Sequence, residues 1–211
     1  MRTRMIALST FLAMAALLPA GPSVAGRPDF SIGLGAGYFL PLGDWKAHRY
    51  AGLDQFTGHV CFQGDFEVRW SRPLAFAVDG GYIHLGTGEW EDYAALYGDA
   101  VDASASIFYV GLLWKPCVWE DRYNALSLLL GVNFSAPAGQ ETFEKDTYDY
   151  DFMKNKVGYQ LGVEFARDIS YSTALTVSVS GLFIPSGVEY ADGLKYTIVG
   201  LPLTAGVRFR F

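Results

Sequence analysis

Six ionisable residues stand at positions where the chain is otherwise apolar or small: Asp65, Glu67 and Arg69 at alternate places in one segment, and Asp79, Glu164 and Arg208 in three others. Enclosed together, they would form a salt-bridge network or, threaded by water, a narrow path for protons or ions. An unpaired buried charge costs several kcal/mol, which favours the network. Nucleophilic chemistry is poorly provided for. A serine needs a histidine within hydrogen-bond reach and a third group to orient it. Of His48, His59 and His84, the last is followed by Leu85-Gly86, and no serine lies between the first two. Cys61 and Cys117 lack the CxxC spacing of zinc or redox sites. Acids cluster in two stretches, Glu89, Glu91, Asp92, Asp99 and Asp102, then Glu141, Glu144, Asp146, Asp149 and Asp151. Oxygen-rich loops can collect Ca²⁺, but Asp149-Tyr150-Asp151 has neither the ligand spacing nor the glycine of an EF-hand. No catalytic residue, metal site or cofactor is therefore expected. Aromatics stand between these acids, and Trp90, Tyr93, Tyr97, Tyr148 and Tyr150 are the candidate contact residues for a partner.

The whole chain limits what these residues can serve. It has 211 residues, 51% hydrophobic, 16% aromatic and 18% charged, with a formal net charge of −6. Disorder is excluded by the hydrophobicity, and a nucleic-acid partner by the absence of a basic footprint. Arg2 and Arg4 precede an uncharged apolar run, Met5 to Leu18, then Pro19, Gly21 and Pro22. Ser23-Val24-Ala25 offers the small residues that a signal peptidase reads. The run is short for a helix that must cross ~30 Å of hydrocarbon. Residues 1–25 are expected to be a cleaved signal peptide and 26–211 a single exported domain. Losing two arginines leaves that domain with a net charge of 14 − 22 = −8.

Period-two alternation runs through the rest. Phe30, Ile32, Leu34, Ala36, Tyr38 and Leu40 oppose Ser31, Gly33, Gly35 and Gly37, the signature of a strand with one apolar and one small or polar face. Seven more candidates follow, near 60–70, 74–85, 105–115, 125–135, 157–167, 173–184 and 197–211. The one around Ile107–Trp114 is apolar on both faces, which leaves its register open. The spacers alternate long and short, as in an outer-membrane barrel with tight periplasmic turns and longer extracellular loops.

Alternation alone does not say which face looks outward, since a lipocalin keeps its apolar side inside. Here the non-apolar face is mostly Gly, Ser, Thr and Ala with isolated charges, unlike a soluble exterior rich in Lys and Glu. The apolar face carries Phe30, Tyr38, Trp70, Tyr159 and Phe209 near strand ends, like the aromatic girdles of membrane barrels. Gly43-Asp44-Trp45 matches the lipocalin GxW tripeptide, and a soluble lipocalin-like binder stays as a minor alternative. The favoured fold is an all-β, eight-stranded, antiparallel up-and-down transmembrane β-barrel.

With its signal peptide, the strand Gly33-Leu34-Gly35-Ala36-Gly37-Tyr38 followed by Pro41-Leu42-Gly43-Asp44, and the ending Gly206-Val207-Arg208-Phe209-Arg210-Phe211, the chain resembles the small bacterial outer-membrane β-barrels of the OmpA/OmpX type. The resemblance implies eight strands, both termini in the periplasm and four loops outside a Gram-negative cell. It implies that Phe211, Phe209 and Val207, with Ala205, form the C-terminal signal for the barrel-assembly machinery. Outer-membrane lipid and lipopolysaccharide become expected partners. Some small barrels of this kind are lipid A-modifying enzymes, but the His-x-Ser pattern of the deacylases is missing at His84.

In such a barrel Asp65, Glu67, Arg69, Glu164 and Arg208 fall in the periplasmic half of the lumen, with Asp79 nearer the middle. The expected role is non-enzymatic, structural or adhesive at the cell surface, with a plugged polar lumen. A small-ligand conduit is the alternative, suggested by Ile83, Leu85, Leu129 and Leu182 on the inward register. A lipid A hydrolase is less favoured. Cys61 and Cys117 should stay unpaired, because this topology separates them by nearly the barrel height.

Overall fold

Successive side chains of an extended backbone point to opposite faces, so each alternating segment becomes one stave of a wall. The computed structural model describes residues 28–43, 59–71, 74–89, 101–143, 146–149, 153–189 and 193–211, and every regular element in them is a strand. In chain order these are β1 (Asp29–Leu42), β2 (Val60–Arg69), β3 (Ala75–Glu89), β4 (Val101–Trp114), β5 (Cys117–Glu120), β6 (Asn124–Phe143), β7 (Asp146–Asp149), β8 (Lys156–Asp168), β9 (Thr173–Glu189) and β10 (Lys195–Arg210). The expected signal peptide, 1–25, lies outside the described residues.

The sheet runs β4-β3-β2-β1-β10-β9-β8-β6, and β4 pairs with β6 to close it. All pairings are antiparallel. The ring is joined where the chain begins and ends, with β1 and β10 in register from Ser31↔Arg210 to Leu42↔Val199. Eight long strands thus make the barrel. The short β5 prolongs β4 in the same register, Trp114 facing Leu130 and Cys117 facing Ser127. The short β7 folds back on the far end of β6.

The two faces fall as the alternation requires. Ile32, Leu34, Tyr38 and Leu40 of β1 are exposed on the outer wall, with Phe62, Phe66, Phe134, Tyr159, Leu161 and Val177 on other strands. Ser31, Glu67, Asp79, Asn133, Gln160, Ser178 and Arg208 are buried within. The register of β4 is now fixed: Ala105, Ile107, Tyr109, Leu113 and Lys115 are buried, and Phe108 and Trp114 face out.

Several spacers differ from the sequence expectation. The stretch 116–123 is not all turn, because β5 extends the wall to Glu120 before Asp121 makes the corner. The Asp121 carboxylate accepts bonds from the Tyr123 and Asn124 backbone amides (2.8 and 2.7 Å) and from the Asn124 side chain. The Asn124 amide first, then those N–H groups, hold its carboxyl below the usual carboxylate range. At the opposite end β3, β4 and β6 run past the apolar belt, to Glu89, from Val101 and to Phe143. Ladder hydrogen bonds need no apolar side chains, so strands continue where alternation has stopped.

Inside, the barrel is layered. Charges gather towards the end that carries the termini. Near the other end Phe39, Ile83, Leu85, Ile107, Tyr109, Leu182, Ile184 and Ile198 pack into one apolar cluster. Ser186, at φ 51°, marks an irregularity in β9, where the register to β10 moves from Ile184↔Ile198 to Val188↔Tyr196. Met153 bridges Val188 there and joins the cluster, while Lys154 N donates to Gly187 O at 2.9 Å.

Cys61 lies near the loop end of β2 and Cys117 opens β5 near the other end, and both are free. At the β1–β10 seam, a Cβ on Gly206 would overlap the Leu34 carbonyl, whereas one on Gly64 would meet only ordinary contacts at 3.4 Å or more. Gly206→Val should therefore cost about 1–3 kcal/mol of unfolding free energy in detergent or lipid. Gly64→Ala should stay within about 0.5 kcal/mol. Urea titration of the two variants against the parent checks both values.

Candidate functional site: the ion cluster inside the barrel

Asp65 and Glu67 alternate on β2, Glu164 comes from β8 and Arg208 from β10, so four inward positions on three strands are aimed at one level. Arg208 faces three carboxylates, with its Nη1 lying 3.0 Å from Glu67 Oε2. Its Nη1 donates to Glu164 Oε1 at 2.6 Å, and its Nη2 donates to Glu164 Oε2 at 3.0 Å and to Asp65 Oδ2 at 2.9 Å. Gly33 makes that last contact feasible. It lies between Asp65 and Arg208 in the registers of β1, and a Cβ there would strike the Asp65 carboxylate.

The centre of the cluster is a residue absent from the sequence-derived set. Lys115 follows β4, is 1% exposed, and puts its Nζ 3.0 Å from Asp65, 3.0 Å from Glu67 and 3.2 Å from Glu164. Its backbone N donates to Ala75 O at 2.8 Å, which ties it to the wall. Arg69, nearer the mouth, donates from Nε to Glu67 Oε1 at 3.0 Å. Three carboxylates thus face three cations. An ammonium shared among three carboxylates has no lone pair to act as base or nucleophile, so the arrangement binds and braces. Among the described residues no group of His, Cys, Asp or Glu is disposed to hold a metal ion.

Asp79 stands apart. It pairs in register with Asp65 but faces the middle of the lumen, is 1% exposed, and has the Gln160 amide rather than a cation as its polar neighbour. The six sequence-selected charges therefore divide into a bonded set of five and one surplus acid. Below the cluster a cavity of about 350 Å³ opens between Ser31, Arg69, Asn124 and Ser127 at the end bearing the termini.

The remaining candidates lie on or beyond the rims. Phe209 and Phe211 face outward and are exposed, and Val207 is half-buried on the same face. Trp90, Tyr93, Tyr97 and Tyr150 lie outside the described residues, as does the side chain of Tyr148, whose backbone is in β7. His48 is also outside them. His59 sits edge-on to Tyr38 at 5.6 Å, and burial lowers its imidazole pKa. His84 faces out, stacked on Tyr82 at 6.4 Å. Ser106 lies opposite His84 across the β3–β4 ladder, a juxtaposition that sequence spacing does not disclose.

The conduit residues Ile83, Leu85, Leu129 and Leu182 do point inward, yet each is 0–1% exposed and packed among other side chains. Removing one member of a buried ion pair strands the others, so Lys115→Met should destabilise by about 3–5 kcal/mol. Asp79→Asn removes a charge that has no cationic partner, and it should leave stability within about 1 kcal/mol of the parent or raise it. Denaturant midpoints of the two refolded variants measure this contrast, and equal losses would show that Asp79 belongs to the network.

No family model matches the sequence, and no curated protein matches it. Solved structures do. A major outer membrane protein from Thermus thermophilus is 16% identical, with a TM-score of 0.55 over 88% of this chain and 100% of that one. Ail, the attachment invasion locus protein of Yersinia pestis, is 14% identical, with a TM-score of 0.52 over the same shares. Ail in complex with the heparin analogue sucrose octasulfate is 13% identical at a TM-score of 0.50, again over 88% and 100%. Identities this low speak for the fold alone. By closure, strand count and superposition, this chain is an eight-stranded antiparallel β-barrel with the fold of the small bacterial outer-membrane proteins.

Proposed function

We propose that the mature chain, residues 26–211, is an integral outer-membrane barrel without enzymatic activity, and that residues 1–25 export it. The carrying observation is the division of the two faces. Large apolar side chains cover the outside of a wall whose inside holds three carboxylates and three cations in mutual contact. Water would reward the opposite arrangement by about 25 cal/mol per Å² of apolar surface hidden. The groove outside β2, β3, β4 and β6, between Trp70, Phe76, Trp114, Leu112 and Leu130, suits acyl chains. The tight corners at Trp70–Leu74, Asp121–Asn124 and Asp168–Thr173 share one end with both termini, and that end is assigned to the periplasm.

The four longer connections then face the outside, and the role is structural or one of surface interaction, adhesion included. Ail is described as an attachment invasion protein, which supports this class of role. Trp90, Tyr93, Tyr97, Tyr148 and Tyr150 are the contact residues we assign to an extracellular partner. Phe211, Phe209 and Val207 serve recognition by the barrel-assembly machinery, and lipopolysaccharide surrounds the upper wall. The lumen is read as plugged, by the ion cluster below and by the apolar packing above. This packing disfavours the small-ligand conduit.

The purified mature protein should remain dispersed only with detergent or lipid. In planar bilayers it should show no sustained conductance. A steady open channel would overturn the plugged lumen, and a monomer stable in plain buffer would overturn the membrane assignment.

A further inference from the structure

Above the last outward aromatics of β3 and β4 there is a polar notch. Tyr82 of β3 is level with Phe108 of β4, and both are exposed. One pleat further towards the loop end the outward row reads His84, Ser106 and Ala138. One pleat beyond that it reads Ser104, Gln140 and Asp149 across β4, β6 and β7. Small side chains, Ser104, Ser106 and Ala138, make the floor. Larger ones make the walls, with Tyr82 and His84 on one side and Gln140 and Asp149 on the other. The enclosed volume is about 290 Å³. β7, folded back on β6, supplies the Asp149 wall, and no described strand covers the floor.

We infer that this notch binds an uncharged sugar unit carried by a glycolipid of the surrounding leaflet. The inference rests on the membrane reading given above. Its position fits the level where hydrocarbon gives way to headgroups, because the outward aromatics of β3 and β4 end immediately beneath it at Tyr82 and Phe108. Its chemistry selects the class of headgroup. Two floor hydroxyls, the Gln140 amide and the Asp149 carboxylate offer both donors and acceptors, as a polyhydroxylated ring requires. The Tyr82 and His84 rings lie nearly parallel, 11° apart, and add ring surface beside the polar floor. Among the described residues no Lys or Arg lines the notch, and Asp149 repels anions, so these residues offer a phosphate or sulfate group no counter-charge.

The test uses the whole mature protein in phosphatidylcholine nanodiscs doped with either digalactosyl diacylglycerol or phosphatidylglycerol, and native mass spectrometry counts the lipids retained. The parent should keep the galactolipid over phosphatidylglycerol. Ser106→Leu, which fills the floor, should reduce that preference about three- to tenfold, the worth of one or two neutral hydrogen bonds. Gln140→Ala, at an exposed side chain, should reduce it in the same direction and serves if the first variant does not fold. Equal retention of both lipids, a preference for phosphatidylglycerol, or a galactolipid preference untouched by either variant would overturn the notch while leaving the membrane reading intact. A protein that does not enter the discs at all would overturn both.

Discussion

A backbone amide in hydrocarbon has no water to bond, and each one left unpaired costs several kcal/mol, so a sheet that crosses a bilayer must have no edge. In this chain the condition is met at two seams, where β4 lies along β6 and β1 along β10. With only eight strands in the ring, the interior is just wide enough for its own side chains. Every inward charge is then forced close to others, and the choice is between pairing and a steep desolvation cost. The ion cluster is a consequence of closure at this strand number before it is anything else.

The cluster shows how that cost is met. Arg208 presents a planar fork to Glu164 and a further N–H to Asp65, while the Lys115 ammonium, a compact point charge, fits among three carboxylates. The two cations are not interchangeable in these places, since only the planar fork bonds both oxygens of Glu164 in parallel. Gly33 completes the arrangement by being nothing: any side chain on β1 at that level would separate Asp65 from Arg208. Sequence, wall geometry and electrostatics thus meet at one small residue.

Much of this was legible from period two. The faces of β1, β2, β6, β8 and β10 are those the alternation names, because side chains in the wall strictly obey the pleat. Asp65, Glu67, Glu164 and Arg208 were found the same way, as polar residues on the enclosed face. Lys115 was not. Its strand is apolar on both sides, so no contrast marked the inward set, and the lysine that closes the 105–115 segment could be assigned to neither face. Extending the odd positions Ala105, Ile107, Tyr109 and Leu113 by one step would have reached it. Strand ends beyond the apolar belt were equally invisible, since β6 continues to Phe143 where alternation has stopped. The His84–Ser106 neighbourhood was hidden for another reason, because cross-strand register is not written in the spacing of either strand.

Where, then, does a protein of this fold carry what distinguishes it? The outer wall is constrained to be apolar and the inner face to be small or charge-paired. Very many sequences satisfy both conditions, which is why chains only 16% and 14% identical superpose over 88% of this one. Substitution within those rules changes little that a partner or lipid can sense. The rims are under neither rule. There the backbone still holds side chains at the fixed spacing of a sheet, and on the proposed membrane reading the surroundings change from acyl chain to headgroup and water. Polar groups such as His84, Ser104, Ser106, Gln140 and Asp149 can then be placed rigidly without the penalty of burial. Rigid placement lowers the entropy lost on binding, so the sheet immediately above the last outward aromatics of β3 and β4 is better suited to recognition than either the lumen or the lipid-facing belt.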